Sequence, residues 1–208
     1  MIRILPALAI LAIAAMPWRA TGAEAAAPRK VETERITVPT KPVDPPGKAA
    51  NAVAEPKLGK GAAGLPPLVA KTRQAILDAA YSGDLGSLRA VMQRNETPPS
   101  LSVNEVGDPI DYLKSQSGDG EGLEVLAILT DVLEAGWALK GAGTAQEMYI
   151  WPAFAVLPLD KLSPGEKVEL YKIVTSSDFD EMKNAGKYTF YSVGIGPDGT
   201  WHYFKLTD

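Results

Sequence analysis

The chain of 208 residues carries 21 Lys and Arg against 25 Asp and Glu, and it contains no cysteine. The lack of cysteine excludes disulfides, thiolate metal sites, thiol nucleophiles and lipid attachment at a cysteine. Residues 68–208 hold 20 Asp and Glu against 12 Lys and Arg, a net charge of −8. This charge argues against nucleic acid or anionic lipid as a partner, because phosphate contacts need clustered cations.

Residues 1–25 have the order of a secretory signal peptide. Arg3 is followed by an apolar run from Ile4 to Met16 and then by small residues, with cleavage expected after Ala23 or Ala25. The run is 13 residues long, shorter than the roughly 20 residues of a membrane-spanning helix. We therefore expect a periplasmic or secreted protein without a stable membrane span after cleavage. An uncleaved anchor is the alternative.

Residues 26–67 are predicted to form a disordered, Pro-rich linker. They contain eight prolines and no aromatic residue, and most other residues are too polar or too small to bury much area. The globular domain is predicted to span residues 68–208, which hold three of the four Trp, all seven Tyr and all four Phe. At this length a domain can bury enough surface for a core without disulfides.

Two helical hairpins are predicted within residues 68–140. In the first, Gly83 takes the left-handed position that ends one helix, and Asp84 caps the next. In the second, Asp108-Pro109 opens a helix with Asp as the cap and Pro at the first helical position. After a Gly-rich turn, residues 123–135 carry the strongest helical pattern of apolar residues in the chain.

These hairpins resemble degenerate ankyrin repeats. The segments Gly107-Asp108-Pro109-Ile110 and Val132-Leu133-Glu134-Ala135-Gly136 match the two ends of the ankyrin unit. The turn glycines Gly83 and Gly118 are 35 residues apart, near the family period of about 33. Asp108 stands where the family has Thr, and the family His is absent. The resemblance implies stacked helical hairpins and favours a protein-binding role.

Residues 141–208 are predicted to form short helices followed by a β-hairpin, so the fold class is α+β and mainly α. Ser163 and Glu166 have the spacing of a capping box, which opens a helix running to about Val174. Ser177 is predicted to cap a second short helix over residues 178–185, ended by Gly186.

The C-terminal hairpin is predicted from two segments rich in aromatic and β-branched residues, 187–195 and 200–206. The turn Gly196-Pro197-Asp198-Gly199 suits a type I turn followed by a left-handed glycine. The expected register pairs Gly194 with His202 and Val193 with Tyr203. Both faces of this hairpin are apolar, so one is expected to pack on the helices.

Few residues are candidates for chemistry. His202 is the only histidine, and no Gly-x-Ser-x-Gly motif is present, so a Ser-His-Asp device is not indicated. Two acidic groups, Asp108/Asp111 and Asp178/Asp180/Glu181, are compatible with a carboxylate-dependent hydrolase or with helix capping. No catalytic set, metal or cofactor is predicted.

An aromatic surface is the candidate binding site, with core packing of the same residues as the alternative. Its residues are Trp151, Phe154, Trp201, His202 and Tyr203. The sequence favours a periplasmic protein-binding or envelope-associated module without catalytic activity, whose partner is another envelope protein. The alternatives are a carboxylate-dependent hydrolase of peptidoglycan or glycan, and a binder of a small ligand in an aromatic groove.

Overall fold

The computed structural model describes residues 56–207. The predicted signal peptide, residues 26–55 of the predicted linker and Asp208 lie outside the described residues. The described helices are α1 (Pro67–Tyr81), α2 (Leu85–Met92), α3 (Pro109–Gln116), α4 (Leu123–Glu134), α5 (Pro164–Leu170) and α6 (Ser176–Ala185). The described strands are β1 (Lys57–Lys60), β2 (Gly136–Lys140), β3 (Met148–Trp151), β4 (Tyr191–Ile195) and β5 (Trp201–Leu206). The fold is α+β, as predicted.

The five strands form one antiparallel sheet in the order β1-β2-β3-β4-β5, so every strand pairs with its neighbour in the chain. Helices α1 and α4 pack together and against the sheet. The main core lies between the four N-terminal helices and one face of the sheet. The sheet contributes these buried side chains: Trp137, Tyr149, Trp151, Val193, Ile195, Trp201 and Phe204.

The N-terminal boundary of the domain differs from the prediction. Strand β1 lies inside the segment predicted as linker, with Leu58 opposite Ala138 and Gly59 opposite Trp137. The strand is held by backbone hydrogen bonds to β2. Residues 57–60 have no alternating apolar pattern from which the strand could have been predicted. The folded domain therefore begins ahead of Leu68.

Two helical pairs are present, as predicted for residues 68–140. Gly83 is left-handed with φ +68°, and the Asp84 carboxylate accepts hydrogen bonds from the backbone amides that open α2. Asp108 caps α3 in the same way, with Pro109 at its first position. The same stretch also holds β2, because α4 ends at Glu134 and the chain then enters the sheet. The ankyrin-like resemblance remains an interpretation of the sequence.

The helices after β3 enclose a second, smaller core. The capping box of Ser163 and Glu166 is confirmed, but α5 ends at Leu170 rather than near Val174. Helix α6 is capped by Thr175, not by Ser177, and ends at the left-handed Gly186. The buried residues of this second core are Phe154, Leu159, Leu162, Leu170, Val174, Phe179, Met182 and Tyr188.

The C-terminal hairpin is confirmed, but its predicted register is wrong by one residue. Gly194 lies opposite Tyr203, and Ile195 lies opposite Trp201, which leaves His202 as the extra residue of a β-bulge. The alternation of apolar and polar residues cannot indicate a bulge in a segment whose residues all favour a strand. Because of the bulge, Phe204 lies in the core while His202 is exposed.

Candidate functional site

The predicted aromatic binding surface is not assembled as one surface. Trp151, Phe154 and Trp201 are 0%, 5% and 1% exposed, so these three side chains belong to the two cores. The Trp201 indole also donates a hydrogen bond to the Tyr203 carbonyl at 2.9 Å. Large aromatic side chains supply much of the buried area of a small domain, which explains their position. The prediction that these three residues form a binding surface is therefore wrong, because they are core residues.

The other two predicted site residues differ from each other in their surroundings. His202 is exposed beside the hairpin turn, and its carbonyl accepts a hydrogen bond from the Ser100 amide at 2.8 Å. The Tyr203 ring lies over Gly194, where a Cβ would come within 2.2 Å of it. Burial raises the pKa of Tyr203 to about 12.

Asp108 and Asp178 of the predicted acidic groups act at helix starts, whereas Asp180 and Glu181 lie inside α6. Asp108 accepts hydrogen bonds from the Arg89 guanidinium at 2.8 Å and from two backbone amides of α3, which lowers its pKa to about 2. Asp178 forms the capping box of α6 with Thr175, and these bonds lower its pKa. Across the part of the chain that the structure describes, no cluster of three or more His, Asp or Glu could hold a metal ion.

A shallow apolar groove lies beside the outer edge of β5. We use "apolar groove" for the depression lined by Leu101, Ser102, Val103, Tyr112, Tyr191, Lys205 and Leu206, with a volume of about 120 Å³. Val103 is 63% exposed and Leu206 is 46% exposed, so two large aliphatic side chains at this groove face solvent. Exposed apolar side chains grouped around a depression are typical of binding surfaces.

The walls of the apolar groove are held in place by the core. The Tyr191 ring packs on the buried Phe204 ring with centroids 5.0 Å apart. The segment that carries Leu101 is tied to β5, because Ser100 donates its amide to the His202 carbonyl and accepts from the Phe204 amide at 2.9 Å. Backbone hydrogen bonds thus hold the start of the segment that forms one wall of the groove against β5.

A second depression, of about 370 Å³, lies at the C-terminal end of α4. We use "charged cleft" for this depression, which is lined by Lys60, Gly61, Arg73, Asp131, Glu134, Ala135, Glu169, Lys172 and Ile173. Glu169 accepts hydrogen bonds from Lys60 at 3.0 Å and from Lys172 at 2.8 Å. The Lys60–Glu169 pair connects β1 to α5, whereas the Lys172–Glu169 pair is local to the end of α5.

The pKa values of two ionisable groups in the charged cleft are shifted from their ordinary values. Arg73 is 8% exposed and donates two hydrogen bonds to the Leu133 carbonyl near the end of α4, and its burial lowers its pKa. Partial burial, and then repulsion by Glu134, raises the pKa of Asp131. Perturbed groups in a depression are typical of functional sites, although structural networks produce them as well.

Comparison with family models, curated proteins and solved structures found no match to this chain. Among residues 56–207, no helix is long and apolar enough to cross a membrane.

Sequence reasoning missed both depressions. Val103 lies in a connection between helices, where an apolar residue follows no period, and the strand that carries Leu206 gives no sign of the segment that contacts it. Asp131 and Glu134 are three residues apart on one helix, which is a usable signal, but Arg73 and Lys60 join them only through the tertiary fold.

Proposed function

We propose that this chain is a protein-binding module of the cell envelope and that it binds an apolar peptide segment of a partner protein in the apolar groove. The single observation that carries the proposal is the pair of exposed aliphatic side chains, Val103 and Leu206, at a groove that is also lined by Tyr112 and Tyr191. Tyrosine is enriched at protein interfaces and in their binding hot spots. The envelope location follows from the signal-peptide pattern of residues 1–25.

The size of the groove favours a peptide over a free small molecule. Its 120 Å³ is below the roughly 300 Å³ at which small-ligand pockets begin. A groove of this size takes one or two side chains of a longer segment, whose remaining residues lie on the surface around it. Lys205 is the only charged residue of the lining, so the segment is expected to carry an acidic residue next to its apolar ones.

Selection from a displayed peptide library on the immobilised full chain tests the proposal. We expect the selected peptides to share apolar residues next to an acidic one. The double variant Val103→Ser and Leu206→Ser should weaken their binding at least tenfold. The control Val168→Ser changes an aliphatic residue on α5 that is also largely exposed, and it should leave binding unchanged. Equal loss in both variants, or no selected sequence, would reject the proposal.

Carboxylate-dependent hydrolysis is a second candidate function, favoured by Asp131 and Glu134 in the charged cleft. A carboxyl whose pKa is raised can act as a general acid when a second carboxylate is close. Incubation of the full chain with peptidoglycan should then release products, and Asp131→Asn should abolish the release. Undigested peptidoglycan after prolonged incubation would exclude this candidate for that substrate.

A further inference from the structure

We propose that the partner segment binds in the apolar groove as an extended strand, which is added to the outer edge of β5 through backbone hydrogen bonds. This inference rests on the proposed function, and it names the conformation and the side-chain pattern of the bound peptide. β5 is the last strand of the sheet, so no other described strand pairs with its outer edge. Unpaired backbone groups at a sheet edge are a common site for the addition of an extended peptide.

The first part of the β5 edge is already covered by the chain itself. Ser100 donates its amide to the His202 carbonyl at 2.8 Å and accepts from the Phe204 amide at 2.9 Å. The chain then bends at residues 102–104. Within residues 56–207, no backbone hydrogen bond joins residues 101–104 to β5. The pairing that Ser100 begins is therefore not continued by the segment that follows it.

The next backbone groups along the β5 edge are open. Thr207 donates its amide to the Phe190 carbonyl on the β4 side at 3.0 Å. Because backbone groups alternate in direction along a strand, those of Phe204 and Leu206 point away from β4. The Phe204 carbonyl and the Leu206 amide have no hydrogen-bond partner among the described residues. They form the same pair of acceptor and donor, one step further along, that binds Ser100.

The side chains around the open edge define the sequence pattern of an added strand. Tyr191 and Leu206 lie directly opposite each other and share one face of the sheet, whereas Lys205 lies on the other face. Lys205 makes no ion pair with any residue in 56–207. Side chains of the added strand alternate between the same two faces. The peptide is therefore expected to read apolar, acidic, apolar, with its acidic residue beside Lys205.

An N-methyl scan of the tightest-binding peptide from the displayed library tests the added strand. A strand that pairs along one edge uses the amide of every second residue. N-methylation should therefore weaken binding to the full chain at least tenfold at alternate positions and little at those between, as measured by calorimetry. A peptide that needs Val103 and Leu206 for binding but shows no alternation would overturn this inference and leave the proposed function standing. The absence of any selected peptide would reject both.

Leu206→Pro tests the same backbone contact from the side of the protein. The change removes the open amide and keeps an apolar side chain, and proline is accepted on an edge strand where the amide points away from the ladder. Binding should weaken at least tenfold, whereas Leu206→Val, which keeps the amide, should bind nearly as well as the parent chain. A urea titration checks that both variants are folded. Equal binding by the two folded variants would overturn the inference, and the N-methyl scan decides independently of either variant.

A charge exchange tests the predicted side-chain pattern. Lys205→Glu should weaken binding of the selected peptide roughly fivefold, because an exposed attraction becomes a repulsion. Replacing the acidic residue of the peptide by lysine should restore binding to this variant. Lys187→Glu makes the same change in net charge at an exposed position outside the groove lining, and it should have no effect. Equal loss in both variants, or no restoration, would overturn the predicted pattern.

Discussion

Gly59 and Trp137 lie opposite each other on β1 and β2, and the indole ring occupies the space that a side chain at Gly59 would need. A Cβ at position 59 would lie 2.2 Å from the Trp137 ring. The Trp137 ring packs edge-on against Tyr149 and is 1% exposed. The absence of a side chain at Gly59 is therefore what lets β1 cover this end of the core.

Gly59→Ala is expected to destabilise the domain. The new methyl group must displace the indole or the strand, and overpacking of this kind costs about 1–3 kcal/mol. Urea unfolding measures the change. Gly165→Ala is the control, because Gly165 lies in α5 with open space around its Cβ position, and alanine in a helix is favoured over glycine. Equal stability of Gly59→Ala and the parent would show that β1 does not contribute to the core.

Replacement by phenylalanine should change the free energy of unfolding differently at Trp151 on β3 and at Trp201 on β5. Trp151→Phe and Trp201→Phe remove the same volume, but only the Trp201 indole has a hydrogen-bond partner among the described residues. Trp201→Phe also leaves the Tyr203 carbonyl without that donor. We expect it to be the more destabilising change by about 1 kcal/mol. Matched unfolding free energies for the two variants would contradict this.

Thr175 is expected to be the cap that stabilises α6. Its hydroxyl accepts from the Asp178 amide, and the Asp178 carboxylate accepts from the Thr175 amide. Thr175→Ala should therefore cost about 1 kcal/mol, as for other lost N-caps. Ser177→Ala should change the unfolding free energy little, because Ser177 already lies inside the helix. The opposite ranking in chemical denaturation would favour the cap that the sequence suggested.

Asp108 should make stability depend on pH in the acid range. Its bonds to Arg89 and to the α3 amides lower its pKa to about 2, well below the ordinary range of an aspartate. A carboxyl with a lowered folded-state pKa stabilises the fold above its unfolded pKa, and this contribution is lost as the pH falls toward 2. Asp108→Asn should flatten that part of the stability profile between pH 5 and 2.5, while Asp111→Asn should leave it in place. A parallel profile for Asp108→Asn would reject this assignment.

Elements with local signals were predictable from the sequence. Helix α4 follows from its apolar period, and the starts of α2, α3 and α5 follow from capping residues whose hydrogen bonds involve only neighbours in the chain. Serine and threonine both occur as N-caps, so residue type alone does not decide between Ser177 and Thr175. Their difference appears only in the backbone conformation.

Elements that depend on distant residues were not predictable. Strands β2 and β3 are short and show no alternation of apolar and polar residues. The pairing of β3 with β2 and with β4 places them, and these partners are distant in sequence or not recognisable as strands. The bulge at His202 is fixed by the pairing of β5 with β4 and with Ser100. The two candidate sites have the same origin, since each combines residues from at least three separate segments.

Site-specific photocrosslinking in the cell envelope tests the central claim, protein binding in the apolar groove, most directly. A photoreactive phenylalanine analogue replaces Val103 or Leu206 in the full chain, with Val168 as the exposed control position. We expect the same partner protein to be crosslinked from both groove positions, through an apolar segment of that partner, and not from Val168. No crosslink at the groove positions, or the same products from all three positions, would contradict the claim.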